Sequence, residues 1–261
     1  MPRFTSVVLL AALAAPAFAQ GGDFHWEKAL AAGSNVSISN INGDVRVIPS
    51  TSGKVEVIGT KRGNSSSFGR IHAEVHESSR GINVCVLRDD SDDSCDEDGI
   101  HSHSHNGRDW DHVSMTLDVA VPANVVVAAN TVSGDIDMNG AHGDVSANSV
   151  SGDLKLQHLH ASAVRANTVS GDIDVAVDEL TGNGAFNFHS VSGDITLEVP
   201  RDFGADLTMS TVSGDMNSDF PVTLGNGRMS RRSLSARIGG GGRRLDVSTV
   251  SGDLRLRQGS R

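Results

Sequence analysis

Three histidines alternate with serines in the middle of this chain: His101, His103 and His105. Alternate residues of an extended segment share one face, so the three imidazoles would converge as metal ligands do. Asp109 and Asp111, followed by His112, are near enough in sequence to complete a shell for zinc or another divalent ion. No Cys-x-x-Cys or His-Glu-x-x-His spacing accompanies them. A solvated acidic loop with adventitious metal affinity has the same composition, and both readings stand at this level. No other cofactor is indicated. Cys85 and Cys95 are the only cysteines. In an exported protein they are expected to form a disulfide at the base of this segment, worth about 3 kcal/mol.

A second set of polar residues recurs. The string Val-Ser-Gly-Asp followed by Ile, Leu or Met occurs six times, with glycines at 134, 152, 171, 193, 214 and 252. Its turn residues are Gly134–Asp135, Gly152–Asp153, Gly171–Asp172, Gly193–Asp194, Gly214–Asp215 and Gly252–Asp253. If the repeats stack, the aspartates form one column. Two chemistries suit such a column. Each carboxylate can cap its own turn by accepting backbone N–H bonds, or calcium can bridge successive carboxylates. The calcium-binding nonapeptide pattern Gly-Gly-x-Gly-x-Asp is missing, which favours capping. Asn130, Asn148 and Asn167 would likewise stack as a hydrogen-bonded ladder. Repetition argues against catalysis, because an active site needs a unique constellation of groups with separate roles.

The elements that must hold these turns follow from the spacing. The glycines are 18, 19, 22, 21 and 38 residues apart, and 38 is twice 19. One unit is thus about 19 to 22 residues, with one degenerate copy expected between Gly214 and Gly252. Apolar residues recur seven, five and two positions before each glycine and two and four after it, except that Ser218 breaks the last position. In the Gly152 unit these are Val145, Ala147, Val150, Leu154 and Leu156. Alternation of this kind marks half-buried strands. A unit this short cannot bury its own apolar face, whereas stacked units close a continuous core. The expectation is an all-β chain, a single-stranded right-handed parallel β-helix or β-solenoid with coils rising about 4.8 Å. An antiparallel sandwich of hairpins would show similar spacing and stays open. Stepping 19 residues back from Gly134 reaches Met115, which reads as a further coil lacking the glycine. Asn42-Gly43-Asp44 reads as a diverged turn inside an irregular N-terminal β cap. The organisation expected is a leader over 1–19, a cap over 20–88, an acidic insert over 89–111 and repeat coils over 112–261.

Arg3, the apolar run Val7 to Pro16 and Ala17-Phe18-Ala19 have the form of a signal peptide cut before Gln20. No later run is long enough for a transmembrane helix. The expected location is therefore outside the cytoplasm, in the periplasm, at the cell surface or in the medium. The formal net charge of −10 disguises two opposite segments. Residues 88–112 hold nine acids and two arginines, whereas residues 228–261 hold nine arginines and two acids. The basic end suits either a solubilising cap or a patch for anionic glycans. Net acidity and export speak against nucleic acid as a partner.

The serial Thr/Ser-Val-Ser-Gly-Asp-Ile/Leu turns, the stretch Ile238-Gly239-Gly240-Gly241-Gly242 to Leu254, and the Asn42-Gly43-Asp44 turn resemble the bacterial putative-adhesin family of exported domains. The resemblance covers roughly Phe24 to Leu256. It implies a β-solenoid used for structure or surface contact, with cell-envelope glycans or surface proteins as partners. It carries no catalytic residues to transfer, so the chain is expected not to be an enzyme. Metal or anionic-glycan binding, through the insert or the arginine-rich end, is the alternative.

Overall fold

The computed structural model describes residues 23–89, 92–101, 113–123, 125–224 and 229–259. The leader, and His103, His105, Asp109 and Asp111 of the insert, lie outside the described residues. Strands dominate, in one 10-stranded sheet, one 11-stranded sheet and a two-stranded hairpin. Each repeat contributes one strand to each large sheet, and the Ser-Gly-Asp turn joins them. Val145–Ser151 lies in one sheet, for example, and Leu154–Ala161 in the other. Side chains from the two inner faces form one core of Val, Ile, Leu and Ala. No helix among the described residues is long and apolar enough to cross a membrane.

The expected parallel ladder is present through the middle. Val126–Ser133, Val145–Ser151, Val164–Ser170 and Phe186–Ser192 pair in parallel and in register. The ends correct the picture of a single parallel helix. Phe24–Lys28 and Val55–Gly63 pair antiparallel at one end, as do Ile71–Ser78 and Gly81–Arg88. At the other end Ser233–Ile238 runs antiparallel to Ala205–Ser213. The degenerate copy expected between Gly214 and Gly252 is therefore no coil. It is an antiparallel strand that covers the open edge, which blunts an exposed row of backbone groups.

The layers are also not stacked in sequence order. The coil of Asn35–Ser39 and Val45–Pro49 pairs with Val126–Ser133 and Ile136–Asn139 on one side. On the other side it pairs with Gly81–Arg88 and Val113–Val121. The turn at Gly43 is thus a full layer inside the stack. Met115 does occupy the glycine position of a coil, but one layer further out than the 19-residue step implies. At the far end, Arg243–Ser251 and Leu254–Gln258 insert between the Gly193 and Gly214 coils. Four phenylalanines fill the core there. Phe186 packs 6.2 Å from Phe188 and 5.9 Å from Phe203, which lies 6.2 Å from Phe220.

Candidate functional site

The repeated turn is the feature from which any site must be built. Its first residue points inward: Thr131, Ser149, Thr168, Ser190, Thr211 and Thr249 are all buried. A buried hydroxyl needs a partner, and the neighbouring layer supplies one to five of the six, Thr131 being the exception. Ser149, Thr168 and Ser190 donate to the carbonyls of Gly134, Gly152 and Gly171 at 3.3 to 3.4 Å. Thr249 and Thr211 donate to Gly193 and Gly252, each at 3.2 Å. The glycine follows because the layers touch there. Gly171 sits at φ +148°, and a Cβ on it would lie 2.2 Å from the Gly152 carbonyl oxygen.

The aspartates bind layers and not their own turns, which corrects the capping expectation. Asp153 N–H donates to Asp135 Oδ1, Asp172 N–H to Asp153 Oδ1 and Asp194 N–H to Asp172 Oδ1, each at 2.8 Å. Asp253 continues the column onto Asp194, and Asp215 onto Asp253. One oxygen of each acceptor is thereby held in the stack. Arg255 bridges the second oxygens of Asp194 and Asp253 at 2.8 and 2.6 Å. The Asp253 amide and then Arg255 hold the Asp194 carboxyl below its ordinary pKa. In return Asp194 pushes the Arg255 guanidinium up.

A depressed carboxylate pKa stabilises the fold above the unfolded value of about 3.9, and that stability is lost as pH falls through the folded value. Asp194 is half exposed, so the effect is discounted to under about 1 kcal/mol. Thermal unfolding between pH 7 and pH 2 should therefore show a smaller acid-side loss for Asp194→Asn than for the native chain. Parallel curves would remove this role.

The outer face of the 11-stranded sheet carries two further columns. Asn148 donates to Asn130 at 2.8 Å and Asn167 to Asn148 at 2.7 Å. His189 and Ser248 continue this column, hydrogen-bonded to one another. Next to it run Val132, Val150, Val169, Val191, Val250 and Val212, which are 47 to 55% exposed. They point outward, against the expectation that they belong to the apolar inner set. Four described arginines of the C-terminal end are committed, while Arg231, Arg232 and Arg257 stay exposed. Arg237 pairs with Asp206 and Arg244 with Asp246. Arg243 is buried, and its guanidinium donates to the carbonyls of Ser162, Gly182 and Gly184. Burial alone pulls its pKa down.

The insert begins as a hairpin of Ser94–Asp96 and Gly99–His101. The Cys85–Cys95 disulfide ties it to the 11-stranded sheet. Asp96, Asp98 and His101 bring one ligand atom each within 4.8 Å of one another. His101 Nε2 lies 2.9 Å from Asp96 Oδ2. The Asp98 amide, and secondarily His101, hold the Asp96 carboxyl low.

The family model of Toastrack DUF4097 matches residues 28–257, which is nearly all of the stack. The chain belongs to this family. Among solved structures, a putative cell adhesion protein from Clostridium sporogenes shares the fold, with a TM-score of 0.53 at 8% identity. The match covers 90% of this chain and 99% of that one. A putative adhesin from Bacteroides fragilis matches at 12% identity with a TM-score of 0.41, covering 89% and 96% of the two chains. No curated protein matches the chain.

Within this Toastrack chain the sequence singled out His101 but not Asp96 or Asp98. Both stand within five residues of His101, and the short hairpin is what brings them together. The valine column was missed for a countable reason. Val132 lies three residues after the inward Ala129, so strict alternation sends it outward.

Proposed function

We propose that this Toastrack domain is a non-enzymatic, exported protein of the cell envelope or surface that works by contact, as an adhesin-like scaffold. One observation carries the reading. Most polar groups of the repeated turn are engaged layer to layer, whereas an outward valine recurs in every coil, beside an asparagine in three of them. Catalysis needs groups with distinct roles in one place, and an apolar residue repeated at one outward position along a stack suits a partner met over an extended surface. The family membership and the adhesion-protein fold of the Clostridium sporogenes structure support it. The decisive experiment is fractionation of cells producing the full-length chain, followed by incubation of the purified mature protein with washed envelopes. Export and retention on envelope material are expected. Accumulation in the cytoplasm would overturn the proposal.

A second reading, capture of a divalent cation on the insert, is favoured by the grouping of Asp96, Asp98 and His101. Zinc binding by two carboxylates and an imidazole is ordinary chemistry. Asp98 lies 4.0 Å from Arg80, which competes for it. Isothermal titration with zinc should show binding weakened about tenfold or more in a His101→Ala/Asp98→Asn double variant. Equal affinities would discard the metal reading. The described arginines favour an anionic-glycan patch less, because Arg237, Arg244 and Arg255 already have carboxylate partners.

A further inference from the structure

The valine column is not needed to close the turn. The inward hydroxyl, the glycine and the aspartate meet the needs of the turn. β-propensity does not account for valine either, since other outward positions of the same strands hold Ser, Asn and Arg. Yet all six coils carry it, in directly neighbouring strands. At about 4.8 Å per strand the six side chains make an apolar stripe about 24 Å long. Its flanks are polar, with Asn130, Asn148, Asn167 and His189 on one side and, on the other, the exposed serine of each turn followed by the aspartate column. Contiguous exposed apolar surface of this kind marks an interaction site.

We infer that this stripe is a self-association surface and that its occupant is a second copy of the same chain. The match of period argues for it. A partner that meets the valines one by one along the stripe must itself present apolar groups at the strand separation, as this stack does. Complementarity argues for it as well. A two-fold axis along the stack sets the asparagine column of one copy against the serine and aspartate side of the other. Amide donors then meet hydroxyl and carboxylate acceptors, and the two aspartate columns stay apart. Such an interface is isologous, the commonest form of dimer. Its size sets its strength. Six strands at about 4.8 Å by five residues at about 3.3 Å give about 480 Å² per copy, or about 1,000 Å² in total. That sits at the lower limit for a specific interface and fixes a weak, reversible dimer. The inference goes beyond the envelope-contact reading and does not depend on where the protein is located.

Sedimentation velocity of the purified mature protein, from about 1 μM to several hundred μM, tests it. A reversible monomer–dimer equilibrium in the micromolar range is expected. Val150→Lys/Val169→Lys should weaken it at least tenfold with an unchanged circular dichroism spectrum and melting temperature. If those lysines perturb folding, Val150→Asn/Val169→Asn makes the same test with the neighbouring column's residue. Thr196→Lys, on the outer face of the other sheet, should leave the equilibrium alone. A monomer at every concentration would overturn the inference. So would a dimer that the valine variants leave intact. A monomer whose valine variants lose retention on envelopes would assign the stripe to another occupant and equally overturn the second copy.

Discussion

Gly171→Ala is expected to be among the most damaging single-methyl changes available to this protein, costing about 4 kcal/mol or more. Two independent penalties coincide. The residue sits at φ +148°, a region that L side chains rarely adopt. The added Cβ would also lie 2.2 Å from the oxygen and 2.7 Å from the carbon of the Gly152 carbonyl. Neither neighbour can give way. Gly171 N–H donates to Ser192 and Gly152 N–H to Ser170, both at 3.0 Å. Asp172 N–H is held by Asp153 at 2.8 Å, and Thr168 donates to the same Gly152 carbonyl. Separating the Gly152 and Gly171 layers to admit a methyl group breaks the three bonds that join them, and the Ser192 bond resists moving Gly171 the other way. For a chain of this size the loss lowers the melting temperature by roughly 8 to 16 °C. Gly240→Ala supplies the contrast, because a Cβ there meets nothing within 4 Å. It should cost under about 1 kcal/mol. Urea unfolding followed by far-ultraviolet circular dichroism compares the two. A Gly171→Ala protein within about 1 kcal/mol of the native one would refute the layer-contact account of the turn.

That glycine was legible because the demand on it is local and repeated. A turn that recurs at one spacing declares its glycine, its inward hydroxyl and its strand partners in the sequence itself. Features that depend on which layer neighbours which were not legible. The Gly252 coil is last in sequence but lies between the Gly193 and Gly214 coils. All three coils carry the same motif, so sequence alone is degenerate with respect to their order. The aspartate column shows the same limit. Asx-type capping within a turn and acceptance from the next layer need the same residue at the same place. Only the stacking distance decides, and it favours the neighbour's N–H at 2.8 Å. The insert is a different case, since its single hairpin brings Asp96, Asp98 and His101 together by a pairing that no repeat announces.

Arg243→Ala is expected to cost about 3 to 4 kcal/mol and to loosen one end of the stack before the rest. In sequence Arg243 belongs to an arginine-rich segment and reads as a solvated charge. In the fold it opens the inserted strand Arg243–Ser251 and is only 2% exposed. Its guanidinium lies 4.6 Å from the Phe186 ring centroid and 6.0 Å from that of Phe203. It donates to three carbonyls on the adjoining layers, including Gly184 at 2.8 Å. Its guanidinium donates to backbone oxygens, so the charge is stabilised by dipoles and ring faces while burial opposes it. Alanine removes the stem packing, leaves a void beside two phenylalanines and strands the three acceptors. Methionine keeps much of the packing but no donors, and lysine keeps the charge but cannot reach three acceptors from one ammonium. Both should fall between alanine and the native protein, near 2 kcal/mol. The same contacts predict where the damage appears. Residues 243–258 and the neighbouring strand Ala205–Ser213 depend on this side chain, whereas Val145–Ser151 and Val164–Ser170 pair with each other regardless. Hydrogen exchange of Arg243→Ala should therefore accelerate at the C-terminal layers first and leave the central ladder protected. Uniform acceleration across all layers, or a melting temperature within about 1 °C of the native chain, would show that the inserted coil is held by its strand pairing alone.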